Sequence, residues 1–325
     1  MHYPILTTID VEDWFQVENF KKYIPFSSWS SYKLRVEKNT HRILDLLDST
    51  KLNNPTNPTN PINPTNSTNP TNPINPTNPK NPINATNPAS PKATFFILGW
   101  LVEHLPHLVQ QIHSRGHEVA SHGYNHIIAN EVPSDKLKLD LIDSKKLLED
   151  TIGHRINGYR APSFFINCDI LKIIEDSGYL YDSSYNSFSL HERYGHVDFS
   201  QNDRKGIAIQ ISKTFYELPI SNLKLTIKNF ELPWGGGGYF RLIPFPFFRV
   251  GAQSILRKEK AYLFYMHPWE IDPEQPRVTK ASAFYKFRHY TNLKKTFSKL
   301  TKFLETFNEH RFITCRQYLE EVGIN

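Results

Sequence analysis

Residues 92–126 read KATFFILGWLVEHLPHLVQQIHSRGHEVASHGYNH. An apolar run opens the stretch, and the segment from Leu101 to Gly116 then has helical spacing, closed by the glycine. Another short strand candidate, HEVASH, follows and ends in polar side chains. Strand, helix, strand at this spacing is the signature of a parallel sheet or barrel, since parallel neighbours need a crossover between them. The pattern extends in both directions. Upstream, YPILTTI reads as a buried strand, and VEKNTHRILDLLDSTKL as an amphipathic helix carrying Val36, Ile43, Leu44, Leu46 and Leu47. Downstream, SDKLKLDLIDSKKLLEDTIG reads as a helix with Ser134 as its cap and Gly153 as its stop, and INGYRAPSFF as a strand ending in a proline turn. CDILKIIEDSGY is a further helix, and YLYDSS and EKAYLFYMHPWE are further strand ends. The last helical segment, YTNLKKTFSKLTKFLETFNEH, places Leu293, Phe297, Leu300, Leu304 and Phe307 on one face, with its lysines elsewhere. It is expected to pack on the core with a solvated basic face; weak contact with an anionic membrane surface is the alternative.

Residues 53–92 stand apart. They repeat Asn-Pro-Thr/Ile and hold eleven of the chain's 23 prolines. Proline donates to neither helix nor ladder, and so few large apolar groups cannot offset the entropy of ordering, so the tract is expected to be disordered or polyproline-like. It falls between a helix and a strand of one repeat. Residues 1–325 are therefore expected to form a single α/β domain with this insert on the face away from the strand C-termini.

The 325 residues suffice for a sizeable core, and a net charge of +6 is only mildly basic. Two cysteines, Cys168 and Cys315, exclude a disulfide framework and a cysteine-based zinc cluster. No apolar stretch is long enough to span a bilayer, and no signal peptide is evident, so a cytoplasmic location is expected. No nucleic-acid-binding motif is present, and oligomeric state is not encoded in any visible pattern.

Four strand ends carry reactive side chains: TIDVED, VASHGYNH, GYRAPS and FYMHPWE. In an α/β chain such ends converge on one site. His122 and His126, at i and i+4, can bring two imidazoles to one metal, and a carboxylate from DVED would complete a site with open positions. The carboxylates could instead be a solvated or helix-capping cluster. Gly123 stands where a zincin motif needs its glutamate. Arg160 can hold a carboxylate ionised, or serve a structural ion pair. His267 is suited to acid catalysis near neutral pH.

Together DVEDWFQV, ATFFILGWL, GHEVASHGYNH, GYRAPSF, YDSSYN, GGGGYFR and HPWEIDPEQPR resemble the polysaccharide deacetylase family with its NodB-homology domain. They resemble most the branch associated with bacterial exopolysaccharide biosynthesis clusters. The resemblance implies a distorted (β/α) barrel and metal-dependent removal of N-acetyl groups from N-acetylhexosamine units of a polysaccharide or its precursor, with zinc, cobalt or another divalent ion as cofactor. It further implies Asp10 as general base, Arg160 as its brace, His122 and His126 as metal ligands, the backbone N–H of Ser163 as oxyanion donor, and His267 as acid. Where that family usually has two adjacent aspartates, position 11 here is Val, so the second carboxylate is Glu12 or Asp13. Period-two geometry favours Glu12 on an extended chain; Asp13 serves if the chain turns at Val11. Tyr239, Arg241, Trp269 and Asp182 are expected to line or support a glycan cleft. The glycines at 235–238 would bring backbone close to a sugar or form a hairpin turn; they open no evident helix. Competing readings are a same-fold hydrolase of small cyclic amides or ureides, and a glycan-binding pseudoenzyme.

Overall fold

The computed structural model describes residues 2–53, 90–188, 195, 197–224 and 231–324. The repeat tract therefore lies outside the described residues, apart from 53 and 90–92 at its ends. In chain order the elements are β1 (Pro4–Val11), α1 (Val36–Ser49), β2 (Ala93–Ile97), α2 (Gly99–His104), α3 (Pro106–Ser114), β3 (Glu118–Ser121), α4 (Ser134–Ile152), β4 (Gly158–Tyr159), α5 (Cys168–Asp176) and β5 (Tyr181–Asp182). There follow β6 (Arg204–Lys205), β7 (Ala208–Gln210), β8 (Tyr216–Glu217), β9 (Asn222–Lys224), β10 (Glu231–Pro233), α6 (Gly237–Leu242), α7 (Phe245–Glu259) and β11 (Tyr262–Met266). The chain closes with α8 (Ala283–Tyr290), α9 (Leu293–Thr306), β12 (Arg311–Phe312) and α10 (Cys315–Glu321).

One sheet runs in the order β11-β1-β2-β3-β4-β5-β8-β7-β6, with β12 also on β1, and β9 and β10 form a separate pair. Every pairing from β11 through β8 is parallel, and the β8-β7-β6 edge is antiparallel. This is the expected distorted (β/α) barrel, a parallel-rich sheet curled into a half barrel with helices outside. All eight residues of β1 are buried, as a central parallel strand covered on both faces requires. Alternation sorts them. Ile5, Ile9 and Val11 join the outer cluster with Phe95, Val119, Phe264 and the helices. Leu6 joins the inner one with Phe96, Ala120, Tyr181 and Leu263, closed at the bottom by Cys315 and Leu319 of α10.

Several local expectations need correction. The helix foreseen from Leu101 to Gly116 breaks at Leu105, because Pro106 has no N–H to continue it and instead starts α3. Ser134 is the first residue of α4 and makes no cap bond; Pro133 holds the cap position. The glycine run does open a helix, α6. The C-terminal helix starts only at Leu293, since Asn292 is left-handed (φ 59°) and separates it from α8.

The ends of the repeat tract meet the N-terminal edge of the sheet. The Asn53 N–H donates to the Asn308 carbonyl and that of Lys92 to Phe312, both at 3.0 Å. Phe312 pairs with Ile5 at the start of β1, whereas Asp10 pairs with Phe96 near its far end.

Candidate active site

The extended backbone of β1 continues through Val11, so Thr8, Asp10 and Glu12 share the inner side. Asp10 is buried, and its Oδ1 accepts a 2.6 Å bond from Arg160 Nη1. Its Oδ2 is buried with no hydrogen-bond partner among the described residues. Such an atom inside a fold marks a place where water or substrate is expected. Arg160 follows β4 and is fully buried over the Phe96 ring, at 4.1 Å. It also donates to Thr8 Oγ1 (2.7 Å) and to the Ser183 carbonyl and hydroxyl (both 2.8 Å). With so many donors spent on fixed acceptors, the guanidinium cannot swing away from Asp10.

Glu12 Oε1 lies 3.0 Å from His122 Nε2 and 3.2 Å from His126 Nε2. His122 follows β3, and its Nδ1 sits 2.7 Å from the Arg160 carbonyl, which can only accept, so Nδ1 carries the proton. In the neutral ring Nε2 then offers a lone pair to a carboxylate oxygen, a repulsive contact unless positive charge sits between them. Donor atoms of Glu12, His122 and His126 lie within 4.8 Å of one another, all buried, which fits a divalent cation. Burial alone would raise the Glu12 pKa, but the imidazoles of His126, His122 and His267 pull it well below the usual carboxylate range.

Asp13, the alternative ligand, is not with the histidines. One residue further along it points away, where Oδ2 accepts from the backbone N–H groups of Arg35 (2.6 Å) and Val36 (2.8 Å) and Oδ1 from Trp14 (2.8 Å). It thus caps the start of α1 from a distance in sequence. Burial pushes its pKa up to about 6 despite those three donors.

His267 follows β11, the other neighbour of β1. Its Nε2 lies 3.9 Å from Asp10 Oδ2 and 3.8 Å from Glu12 Oε1. Its Nδ1 is 2.9 Å from Glu270 Oε1, and Glu270 Oε2 accepts a 2.6 Å bond from Arg241 Nε. Burial pulls the His267 pKa down, yet the carboxylates of Glu12, Glu270 and Asp10 overcome it and hold the ring up at about 9. Gly237 makes the Glu270 position available: a Cβ there would stand 2.1 Å from Glu270 Oε1. Trp269 stacks on His267 (5.1 Å between ring centres) and His289 (4.1 Å).

Asp10, Glu12, His122, His126, His267, Trp269 and Ser163 line one cleft, together with Tyr265, Arg288 and Asn19, which no pattern in the sequence singled out. Ser163 is left-handed (φ 57°), as is Phe164 after it (φ 61°). Three expected glycan contacts do not line this cleft. Arg241 is buried, its remaining donors spent on the carbonyls of Arg288 (2.8 Å), His289 and Thr291 (both 2.9 Å). Tyr239 stands half-buried beside Phe188. Asp182 is fully buried beside Glu217, and burial raises the pKa of both carboxyl groups. Asp182 accepts from the Ser184 hydroxyl (2.7 Å), whose oxygen accepts from the Ala161 N–H (2.8 Å). Asp182 therefore supports the Arg160 loop from behind. Glu217 was missed because a lone glutamate after a short strand carries no distinguishing signal.

Residues 75–181 match the family described as "Polysaccharide deacetylase", and residues 183–320 match "Domain of unknown function (DUF3473)". The first segment carries His122, His126 and Arg160, the second Arg241, His267 and Glu270. Asp10 and Glu12 precede both, and β1 pairs with strands of each segment. A peptidoglycan-N-acetylglucosamine deacetylase of Bacillus cereus is 35% identical over 88 residues, 27% of this chain and 41% of that protein. A peptidoglycan deacetylase-like protein of Gibberella zeae is 35% identical over 94 residues, 29% of this chain and 28% of that one. The match thus spans well under half the length of either relative. A solved structure from Mycobacterium smegmatis, assigned to the polysaccharide deacetylases, superposes with a TM-score of 0.55 at 16% identity, covering 98% of this chain and 89% of that one. That likeness concerns the fold. Over residues 75–181, which carry His122, His126 and Arg160 of the cleft, the chain is similar to the polysaccharide deacetylase family.

Proposed function

We propose that this chain is a metal-dependent hydrolase that removes N-acetyl groups from N-acetylhexosamine units of a bacterial polysaccharide or its precursor, releasing acetate. The observation that carries the reading is the unpartnered Asp10 Oδ2, buried beside the Glu12–His122–His126 cluster and 3.9 Å from His267 Nε2. Glu12, His122 and His126 would hold the ion, and two nitrogens with one oxygen suit zinc. A cation held there supplies positive charge to the amide oxygen as the carbonyl is attacked. Asp10 takes a proton from the attacking water, and the 2.6 Å bond from Arg160 to its other oxygen holds that carboxylate in place. His267 gives a proton to the departing amine, without which an amide nitrogen does not leave. Ser163 is assigned the oxyanion contact through its backbone N–H. The test is acetate release from a panel of N-acetylated oligosaccharides with zinc, cobalt or a chelator added. Turnover that needs the ion is expected; no release from any of them overturns the reading.

Acid catalysis gives a pH signature. His267 is the donor only while protonated, so kcat/KM is expected to fall as pH rises through the His267 pKa, which lies at about 9. Glu270→Gln removes a carboxylate that favours the imidazolium, and this alkaline limb is expected to move down by roughly 1–2 pH units. An unmoved limb in the variant refutes the assignment.

The domain organisation is part of the same proposal: one domain, with the repeat tract dispensable for chemistry. Deleting residues 54–89 is expected to leave turnover within about twofold, because binding and catalytic groups that stay in place keep their barrier. A folded but inactive deletion speaks against it.

A further inference from the structure

We infer that the face built by α6, the start of α7, α8 and the start of α9 docks on an anionic lipid surface. Five of the eight strongly exposed large apolar side chains among the described residues stand on these elements. They are Leu242 (41%), Phe247 (68%), Val250 (56%), Phe284 (62%) and Phe287 (58%). On α7, Phe247 and Val250 are three apart and share a flank, while Phe248, Ala252 and Ile255 go to the core. The elements are tied together. Arg241 on α6 binds the carbonyls of Arg288 and His289 on α8, Asn292 Nδ2 donates to the Arg241 carbonyl (2.9 Å), and Lys299 on α9 donates to the carbonyls of Phe240 and Ile243.

Charge says what covers this face. The chain as a whole is nearly balanced, with 38 Lys and Arg against 32 Asp and Glu. Residues 277–302 nevertheless hold eight Lys or Arg and no acidic residue, and residues 232–258 hold Arg241, Arg249, Arg257 and Lys258 and again no acid. A groove between the two segments has Leu242, Ile243 and Phe245 on one wall and Lys294, Lys295 and Lys302 on the other. Separate aromatic side chains among lysines, with no acid in either segment, match a bilayer interface: rings enter the headgroup boundary while long cationic stems reach anionic headgroups. An acidic protein would use the charges but leave the phenylalanines in water. No described helix is long and apolar enough to cross a membrane, so the contact is one of surface attachment. Arg288, on the same helix as Phe284 and Phe287, lines the catalytic cleft, so docking through α8 holds the cleft mouth beside the bilayer.

The inference does not rest on the proposed activity and is tested without it. The full chain is sedimented with vesicles of equal parts phosphatidylglycerol and phosphatidylcholine, and with phosphatidylcholine alone. Binding to the anionic vesicles is expected to be at least about tenfold tighter and to weaken with salt. The combined variant Phe247→Ser, Phe284→Ser, Phe287→Ser is expected to lose about tenfold or more, as is Lys294→Glu, Lys295→Glu, Lys302→Glu. Circular dichroism checks that each folds; if the combined phenylalanine variant does not, the single changes carry the test, each expected to weaken binding about threefold. Equal binding to both vesicle types overturns the inference. So does full binding after loss of the phenylalanines, or a dimer that these substitutions dissolve in a chain that ignores vesicles.

Discussion

Asp10→Asn is expected to lower the turnover number for acetate release about 10³- to 10⁴-fold while leaving zinc bound, the upper range for loss of a proton-transfer group. Asn keeps an oxygen for the 2.6 Å bond from Arg160, so the local geometry survives. What it lacks is a basic atom at the Oδ2 position, the one left without a partner in the cleft. Stability is expected to fall as well, since the Arg160 guanidinium is wholly buried and loses the charge that offsets its own. Zinc content by mass spectrometry, with thermal unfolding, separates these effects. A variant turning over within tenfold of the parent removes Asp10 as the base.

Glu12→Gln and His122→Ala are expected to behave differently: both lose stoichiometric zinc, and turnover disappears with it. The cluster offers three donor atoms, and a cation site reduced to two holds its ion poorly. Asp13→Ala is the control. It removes the acceptor for the N–H groups of Trp14, Arg35 and Val36, so unfolding free energy is expected to drop by about 1–2 kcal/mol, with zinc and turnover retained. Three carboxylates within four positions thus have three signatures: chemistry lost with metal kept, both lost, and stability alone reduced. Asp13→Ala stripping the metal would refute the assignment, as would a zinc-replete Glu12→Gln.

Much of this arrangement is visible in local patterns. Apolar runs announce β1, β2 and β11, because central parallel strands are buried on both faces whatever their partners. The polar residues that end the strand candidates are conspicuous for the same reason, and this exposes Asp10, His122, Arg160 and His267 together. Period-two geometry also favours Glu12 over Asp13 before any partner is known, but only if the strand continues through Val11. No sequence pattern marks β6 and β8, which span two residues each, too few for a pattern to show.

The sequence by itself therefore determined the layered order of strands and helices and the residue types at the strand ends, since both follow from burial and spacing along a few neighbouring positions. Only the tertiary structure decided how the buried charges are paired. Arg241 has the composition of a cleft residue, yet it pairs with Glu270, twenty-nine positions away, whose other oxygen faces His267 Nδ1. Asp182 looks like a rim residue but lies buried beside Glu217, where it accepts from the Ser184 hydroxyl that holds the Ala161 N–H. Asp13 sits in the catalytic stretch but spends one oxygen on the start of α1 and the other on the Trp14 N–H. A buried charge must find a partner, and which one it finds depends on the register of parallel strands joined by long crossovers, which no local stretch of sequence specifies.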